Sequence, residues 1–201
     1  MKSISGMTWQ MKSIPERLIL KKKQDLNINY LLSKIFLESE FSNEEIHNSL
    51  NKDQIGKISY IDDDFADACK IFMDCIKYNK KILIFGDYDV DGYSSTYLLY
   101  DYITSLKMRC DFYIPDRFKD GYGPNNNLIK EIINKNKYNL IFFVDCGSNS
   151  SEEIYKLEKN GIKTIVIDHH QIYKKTDYKN SVIINPLKLK NESRFNYFCA
   201  T

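Results

Sequence analysis

The chain has 201 residues, of which 43% are hydrophobic and 28% are charged, and its net charge is +2 at pH 7. This length allows one α/β domain with a helical extension but excludes two large domains. The 15 Tyr and 11 Phe residues exclude a disordered chain, and the small net charge does not by itself indicate a nucleic-acid binder.

Residues 1–64 are predicted to form a partly helical extension. This part is polar and weakly periodic, with apolar patches at Leu18–Leu20 and Tyr30–Leu32, and a helix is predicted at Tyr30–Glu38. From Phe65 to Tyr78, apolar side chains recur at three- and four-residue steps, as on one face of an amphipathic helix. We place the start of the main domain there and expect this domain to span residues 65–201.

Short apolar runs alternate with helix-length segments in the rest of the chain. Continuous apolar strands that alternate with helices are typical of a parallel sheet covered on both faces. We therefore predict an α/β fold, with a mostly parallel sheet and helices on both faces. The predicted strands are Lys81–Phe85, Cys110–Ile114, Leu140–Val144, Lys163–Ile167 and Ser181–Ile184, and the predicted helices are Ser94–Lys107, Asn126–Asn136 and Ser151–Asn160.

Neither a membrane span nor a signal peptide is predicted. No apolar run approaches the about 20 residues that cross a bilayer, and residues 1–10 lack the apolar core of a signal peptide. The five cysteines are odd in number and contain no CxxC pair, so we interpret them as free, mostly buried thiols. We expect a cytoplasmic protein that binds no membrane.

Three of the predicted strands run directly into acidic or histidine-containing turns. These turns are Gly86–Gly92, Asp145–Ser148 and Asp168–His170. In an open parallel sheet, ligands bind beyond the carboxyl ends of the strands. We therefore expect the three turns to converge on one crevice.

The acids of these turns are predicted to bind divalent cations. Two bare carboxylates about 4 Å apart repel by about 4 kcal/mol at an effective dielectric constant of about 20, so a cluster must be protonated or bound to cations. Oxygen ligands with one or two imidazoles suit Mn²⁺ or Mg²⁺, and a pair of such ions is common in phosphoester hydrolysis. The acids are Asp87, Asp89, Asp91, Asp145 and Asp168.

Each motif also has a structural alternative. An Asp-x-Asp-x-Asp-Gly run can form a cation-free turn, in which Asp caps the next helix and Gly supplies a positive φ. Asp145, taken alone, is more often a helix cap than a catalytic group. His169 and His170 are a stronger signal, because the chain contains only three histidines and these two are adjacent at a strand end.

Taken together, the motifs resemble those of a known family. Gly-Asp-Tyr-Asp-Val-Asp-Gly at 86–92, Val-Asp-Cys-Gly-Ser at 144–148 and Asp-His-His at 168–170 resemble the first three motifs of the DHH phosphoesterase superfamily. Residues 115–123 are similar to the Pro-x-Arg-x-x-x-Gly-Tyr-Gly signature of its RecJ branch, and residues 184–186 also fit. The resemblance covers about residues 65–201. It implies hydrolysis of phosphodiesters in single-stranded DNA with two Mn²⁺ or Mg²⁺ ions.

The resemblance also implies a ligand set for these ions. Asp87 and Asp89 are similar to the metal ligands of the first motif, and Asp145 to the carboxylate that bridges two ions. His169 is similar to the family's metal-binding histidine. Asp91 is a weaker ligand candidate that can brace the turn.

The residues expected to act on the substrate are His170, Asp168 and Arg117. His170 is similar to the family's histidine that approaches the scissile phosphate, while Asp168 is expected to orient the imidazoles rather than to bind metal. Arg117 can grip a phosphate through its planar fork of donors, with a surface ion pair as the alternative. Residues 94–96 are expected to open a helix whose exposed N–H groups favour a phosphate, or to be ordinary caps.

The sequence departs from the family pattern in two ways. Phe85 stands where some relatives carry a histidine, and neither the fourth motif, with a further metal-binding Asp, nor the second domain that holds nucleic acid precedes Thr201. We therefore interpret the chain as the front part of a RecJ-like exonuclease, with its site completed by a C-terminal domain or a companion chain. The alternatives are a DHH phosphodiesterase for oligonucleotides or cyclic dinucleotides, a pyrophosphatase, or a non-catalytic truncated or split module.

Overall fold

The computed structural model describes residues 4, 6–8, 13–39, 41–50, 63–135, 138–173, 178–188 and 199–201. The chain divides into two compact units, residues 1–59 and 60–201. The boundary that the sequence places after residue 64 stays a prediction. Within the described residues, no helix has both the length and the apolar character that a membrane span requires.

The first unit contains three helices among its described residues. They are α1 (Glu16–Leu26), α2 (Tyr30–Glu38) and α3 (Asn43–Leu50). Helix α2 has the predicted bounds, whereas α1 and α3 were not predicted. In α1, three consecutive lysines at 21–23 interrupt the apolar periodicity, so that Ile19 is its buried residue. The helix ends at Asn27, which adopts the left-handed conformation common at helix ends.

The second unit is built on a five-stranded sheet in which every strand pair is parallel. The strand order is β2-β1-β3-β4-β5. This arrangement confirms the predicted α/β fold, and the bounds of β3, β4 and β5 are as predicted. The strands are β1 (Ile82–Phe85), β2 (Cys110–Tyr113), β3 (Leu140–Val144), β4 (Lys163–Ile167) and β5 (Ser181–Ile184).

Helices cover both faces of the sheet. Along β1, Ile82 and Ile84 pack in the core cluster that includes α4 (Asp63–Lys77) and α5 (Val90–Ser105). Leu83 and Phe85 belong to the opposite cluster, with α6 (Asn126–Lys135) and α7 (Ser151–Lys159). Burial of one such side chain stabilises the fold by about 1.5–3 kcal/mol. The strands are therefore held on both faces, which fixes the turns at their ends.

Helix α5 begins earlier than the sequence predicted. It starts at Val90 rather than Ser94, because the Asp89 carboxylate caps it by accepting a hydrogen bond from Gly92 N at 3.0 Å. Residues 94–96 therefore lie in the second turn, where Ser95 Oγ donates back to Asp91 O at 2.8 Å. The expectation that they open a phosphate-binding helix end is wrong.

All five cysteines are free, as predicted, but they are not mostly buried. Cys69 and Cys199 are exposed, Cys110 is partly buried, and Cys75 and Cys146 are buried. Burial, with nearby carboxylates, holds the pKa of Cys146 well above its ordinary value. This thiol stays protonated beside Asp145 and is a poor metal ligand.

Candidate metal centre

The candidate metal centre lies where the strand order of the sheet reverses. The chain passes from β1 to β2 on one side and from β3 to β4 on the other, so a crevice opens between the carboxyl ends of β1 and β3. Asp87 follows β1 by two residues, Asp145 follows β3 directly, and Asp168 follows β4 directly. The three turns predicted to converge share this edge of the sheet.

Two clusters of candidate metal ligands meet at Asp145. Ligand atoms of Asp87, Asp89 and Asp145 lie within 4.8 Å of one another, and so do those of Asp145, His169 and His170. Asp145 and Asp87 are buried, while Asp89 is exposed. The structure thus brings together all four predicted metal ligands, with one carboxylate common to both groups.

The backbone of Asp145 is held in an unusual conformation. Its φ of 60° is in the left-handed region, which costs a non-glycine residue on the order of 1–3 kcal/mol. Two hydrogen bonds fix this turn: Asp145 N donates to Ile167 O at 2.9 Å, and the Tyr122 hydroxyl donates to Asp145 O at 3.4 Å. Backbone strain is therefore concentrated at the residue that both ligand clusters share.

Three oxygens of the buried Asp145 and Asp87 carboxylates have no hydrogen-bond partner among the described residues. Among the described residues, neither carboxylate oxygen of Asp145 nor Oδ1 of Asp87 accepts a hydrogen bond of acceptable geometry. Burial, together with Asp91 and Asp89, raises the pKa of Asp145 to about 8. Burial is also the main cause of the raised pKa of Asp87. Such orphaned oxygens fit a hard divalent cation, which would satisfy them and offset their charge.

His169 lies on the acidic side of the site. Its Nε2 is 3.2 Å from Asp145 Oδ1 and 3.6 Å from Asp91 Oδ2. This nitrogen can therefore share a cation with Asp145, in keeping with the predicted ligand role. The half-exposed ring leaves the crevice open on this side.

Asp168 is occupied by hydrogen bonds and belongs to neither ligand cluster. Its Oδ1 accepts from His169 N at 2.8 Å and from His170 N at 3.1 Å, and lies 2.7 Å from His170 Nδ1. Its Oδ2 accepts from Ser148 N at 2.9 Å. Burial acts to raise the pKa of Asp168, but the hydrogen bonds from Ser148 and His170 outweigh it and hold this pKa below the ordinary value. The ionised carboxylate favours the His170 tautomer that carries a proton on Nδ1.

Asp91 faces a different part of the chain. Its carboxylate accepts from Ala200 N at 2.8 Å and from Thr201 N at 2.9 Å, and it also contacts the Thr201 hydroxyl. Burial acts to raise the pKa of Asp91, and these hydrogen bonds more than offset it. Asp91 therefore braces the first turn, as expected, by tying it to residues 200 and 201, and it belongs to neither ligand cluster.

Arg117 lies outside both ligand clusters. Its guanidinium carbon stands 5.4 Å from the centre of the Tyr88 ring, and no carboxylate of the described residues pairs with it. The surface ion pair considered as the alternative is therefore not formed within that part of the chain. The exposed guanidinium keeps its donors available, while its predicted catalytic role stays a prediction.

Tyr122 is a residue of the site to which the sequence alone assigned no role. Its hydroxyl lies 3.1 Å from His170 Nδ1, and its ring packs edge-on against the His170 ring at 5.7 Å and the Tyr88 ring at 6.4 Å. Burial is the main cause of a pKa well above the ordinary value, so the hydroxyl stays protonated. The Gly-Tyr-Gly signature contained this residue, but its contact with His170 spans 48 positions and appears only in the fold.

Asn185 is a second residue whose role the sequence did not show. It is fully buried, and its side-chain nitrogen donates to Ser148 Oγ and to His170 O, both at 2.9 Å. Asn185 therefore joins the end of β5 to the turns after β3 and β4. The one feature of the sequence that could have indicated this role is the position of Asn185, a polar residue directly after the apolar strand β5.

Comparison with known proteins identifies related sequences. Residues 81–199 match the model of the DHH family, N-terminal domain. The single-stranded-DNA-specific exonuclease RecJ of Bacillus subtilis is 30% identical over 169 residues, which cover 83% of this chain and 21% of that protein. The RecJ of Thermus thermophilus is 32% identical over 104 residues, or 52% of this chain and 15% of that protein. The chain spans about a fifth or less of the length of these relatives.

Two solved structures share the fold. A crystal structure of exonuclease RecJ bound to manganese is 26% identical, with a TM-score of 0.58, and the match covers 66% of this chain and 33% of that one. The structure of Thermus thermophilus RecJ in complex with Mn²⁺ is 20% identical, with a TM-score of 0.60, and covers 90% of this chain and 25% of that one. At this identity the second structure supports the fold alone.

Proposed function

The chain belongs to the DHH family, and we propose that it carries the metal centre of a RecJ-like exonuclease that hydrolyses phosphodiester bonds in single-stranded DNA. One observation carries the proposal. Asp145 is common to two ligand clusters, and neither oxygen of its buried carboxylate accepts a hydrogen bond of acceptable geometry from a described residue. The relatives named for single-stranded DNA and the manganese-bound RecJ structure support the same substrate and metal.

We propose that Asp87, Asp89, Asp145 and His169 would hold two Mn²⁺ or Mg²⁺ ions, with Asp145 belonging to both ligand clusters. When bound, such ions lower the pKa of water and offset the charge that develops on the attacked phosphate. The remaining coordination positions suit water and phosphate oxygens. The sequence also predicted that a further Asp, from a second domain or a companion chain, completes this set of metal ligands. Titration with Mn²⁺ tests this prediction by counting the ions that each chain binds.

His170 is proposed to orient the scissile phosphate. Because Asp168 and Tyr122 both lie at hydrogen-bond distance from Nδ1, the ring position is fixed from that side. The ionised Asp168 keeps a proton on Nδ1, so Nε2 of the neutral ring can accept a hydrogen bond from a water molecule beside the phosphate. The exposed Arg117 guanidinium is proposed to hold a backbone phosphate nearby.

A nuclease assay tests the proposed function. Labelled single-stranded and double-stranded DNA are incubated with the chain and Mn²⁺, and Asp145→Ala is compared with Asp101→Ala, a matched change on the exposed side of α5. We expect cleavage of the single strand by the wild type and by Asp101→Ala, with loss in Asp145→Ala. Equal activity in all three proteins contradicts the site assignment. A preference for dinucleotides over longer strands favours the small-substrate alternative.

A further inference from the structure

A cleft of about 350 Å³ lies beside His170, and Asp87, Asp89, Asp145 and His169 are not among its lining residues. It opens between the turn after β3 and the loop after β4, and Tyr122, Ser150, Gln171 and Tyr173 are among its lining residues. This volume is at the lower end of the range of pockets that bind small organic ligands. It matches a single nucleotide unit better than a longer strand.

The loop that carries Tyr173 is fixed in place. The side-chain nitrogen of Asn149 donates to Gln171 O at 2.7 Å, and Tyr173 N donates to the side-chain oxygen of Asn149 at 2.9 Å. One amide thus ties residues 171–173 to the turn after β3. The Tyr173 ring nevertheless remains 82% exposed. A flat aromatic surface is held at the cleft without packing against the core.

The charges around the cleft disfavour a second phosphate. Among the described residues that line it, none is Lys or Arg, and the one carboxylate is that of Asp168. Glu152 and Glu153 in the first turn of α7 already complement the positive end of that helix. The cleft therefore suits an uncharged ligand group.

Polar groups in the cleft remain available for such a ligand. Ser150 stands at the N-cap position of α7, but its hydroxyl does not cap the helix. The exposed carboxamide of Gln171 makes no hydrogen bond to a described residue, and it offers donors and an acceptor together. These groups match the edge of a heterocyclic base, which also presents donors and acceptors.

We propose that this cleft binds the nucleobase adjacent to the scissile phosphate, with the base stacked on Tyr173 and its edge bonded to Gln171 and Ser150. The proposal rests on the proposed function, because it takes His170 as the residue that meets the phosphate. Because every base has an aromatic face, stacking on Tyr173 does not depend on which base is present. The cleft would therefore hold the terminal nucleotide of any DNA strand.

Calorimetric titration of the full chain in Mn²⁺ tests the proposal without turnover. Thymidine 5′-monophosphate is compared with 2-deoxyribose 5-phosphate, which lacks the base. The proteins are the wild type, Tyr173→Ala, Tyr173→Phe and Tyr155→Ala, where Tyr155 is an exposed tyrosine of α7 that does not line the cleft. We expect the wild type to bind the nucleotide about tenfold more tightly than the sugar phosphate. Tyr173→Phe and Tyr155→Ala keep this ratio, and Tyr173→Ala brings it close to one.

The results separate this proposal from the proposed function. Equal affinity of the wild type for both ligands, no binding of the nucleotide, or an unchanged ratio in Tyr173→Ala overturns the base-binding role of the cleft. DNA cleavage is measured separately on the same proteins. Absent cleavage with an intact base preference counts against the nuclease proposal alone, whereas cleavage without any base preference counts against the cleft alone.

Discussion

The Asp168 carboxylate lies 2.7 Å from Nδ1 of His170, and it also accepts hydrogen bonds from the backbone N–H groups of residues 148, 169 and 170. One buried carboxylate therefore fixes both the backbone of the histidine turn and the imidazole of one of its two histidines. This geometry supports the proposed separation of roles, in which Asp168 positions the histidines and Asp145 binds the cations.

Replacement of Asp168 by Asn tests this positioning role. The amide keeps the size of the side chain but removes the charge that favours a proton on Nδ1, so we expect the cleavage rate at saturating Mn²⁺ to fall about 10- to 100-fold. Asp101→Asn is the matched control. Thermal melts of both variants identify any loss of folding, and an unchanged rate in a folded Asp168→Asn protein rules out the proposed role.

Removal of one carboxylate is expected to stabilise the metal-free protein. Because burial and the neighbouring acids raise the pKa of Asp145 to about 8, the metal-free fold keeps this carboxyl group protonated at neutral pH, whereas the unfolded chain ionises it, and this difference lowers stability. Asp145→Asn removes this penalty and raises the melting temperature in chelator at neutral pH. The expected gain is about 2–4 °C for each kcal/mol of the penalty removed.

Addition of Mn²⁺ should reverse this order, so that the wild type melts at a higher temperature than Asp145→Asn. The wild type gains about 2.7 kcal/mol at a concentration 100 times its dissociation constant, whereas the variant lacks the shared ligand and gains much less. Differential scanning fluorimetry with and without chelator measures both effects. A metal-free variant that melts below the wild type would be inconsistent with carboxylate crowding.

Asp111, which lies far from the metal centre, is expected to make the free energy of unfolding depend on pH. Its carboxylate lies 2.7 Å from Lys81 Nζ and accepts from the Tyr138 hydroxyl at 2.7 Å, and the contact with Lys81 is the main cause of its lowered pKa. Because the pKa of Asp111 is lower in the folded state, its ionised carboxylate stabilises the fold at pH values above the ordinary pKa near 4. This contribution is lost as the pH falls through the folded-state pKa.

Urea unfolding of Asp111→Asn across pH measures this contribution. Because the side chain is 46% exposed, solvent screening limits the difference from the wild type to below about 1 kcal/mol at pH 7. We expect this difference to shrink at pH 3. A difference that is the same at both values excludes the charge as its source. Asp101→Asn again serves as the control.

Gly92 leaves no room for a side chain in the first motif. A Cβ atom at this position would lie 2.4 Å from Asp87 O, a backbone atom that cannot move without displacing the turn. We expect Gly92→Ala to weaken Mn²⁺ binding and to lower the melting temperature, while Tyr93→Ala, at the exposed neighbouring position, changes neither. Calorimetric Mn²⁺ titration measures the first effect, and an unaltered affinity in Gly92→Ala shows that the turn adapts.

The sequence predicted the sheet and the placement of the acids at one of its edges well, because both depend on local patterns. The uninterrupted apolar run of β3 ends at Asp145, and parallel strands bring such ends to one edge. The start of α5 was misplaced because Asp89 is both a candidate ligand and a helix cap, and the cap extends the helix into the motif.

Contacts between distant segments could not be predicted in the same way. Tyr122 meets His170 across 48 positions, and Asp91 meets Thr201 across 110. Neither contact leaves a periodicity in the sequence, because each depends on how complete turns are placed by the sheet. The left-handed backbone conformation of Asp145, with a positive φ at a non-glycine residue, was not indicated by any pattern in the sequence.

Anomalous diffraction at the manganese edge, from crystals of the chain grown with Mn²⁺, tests the proposed metal centre most directly. We predict a peak at coordination distance from the Asp145 carboxylate that is shared with Asp87 or Asp89, and a second peak that Asp145 shares with His169. Peaks that lie elsewhere, or ordered Asp145 oxygens with no metal beside them at saturating Mn²⁺, would contradict the proposed metal centre.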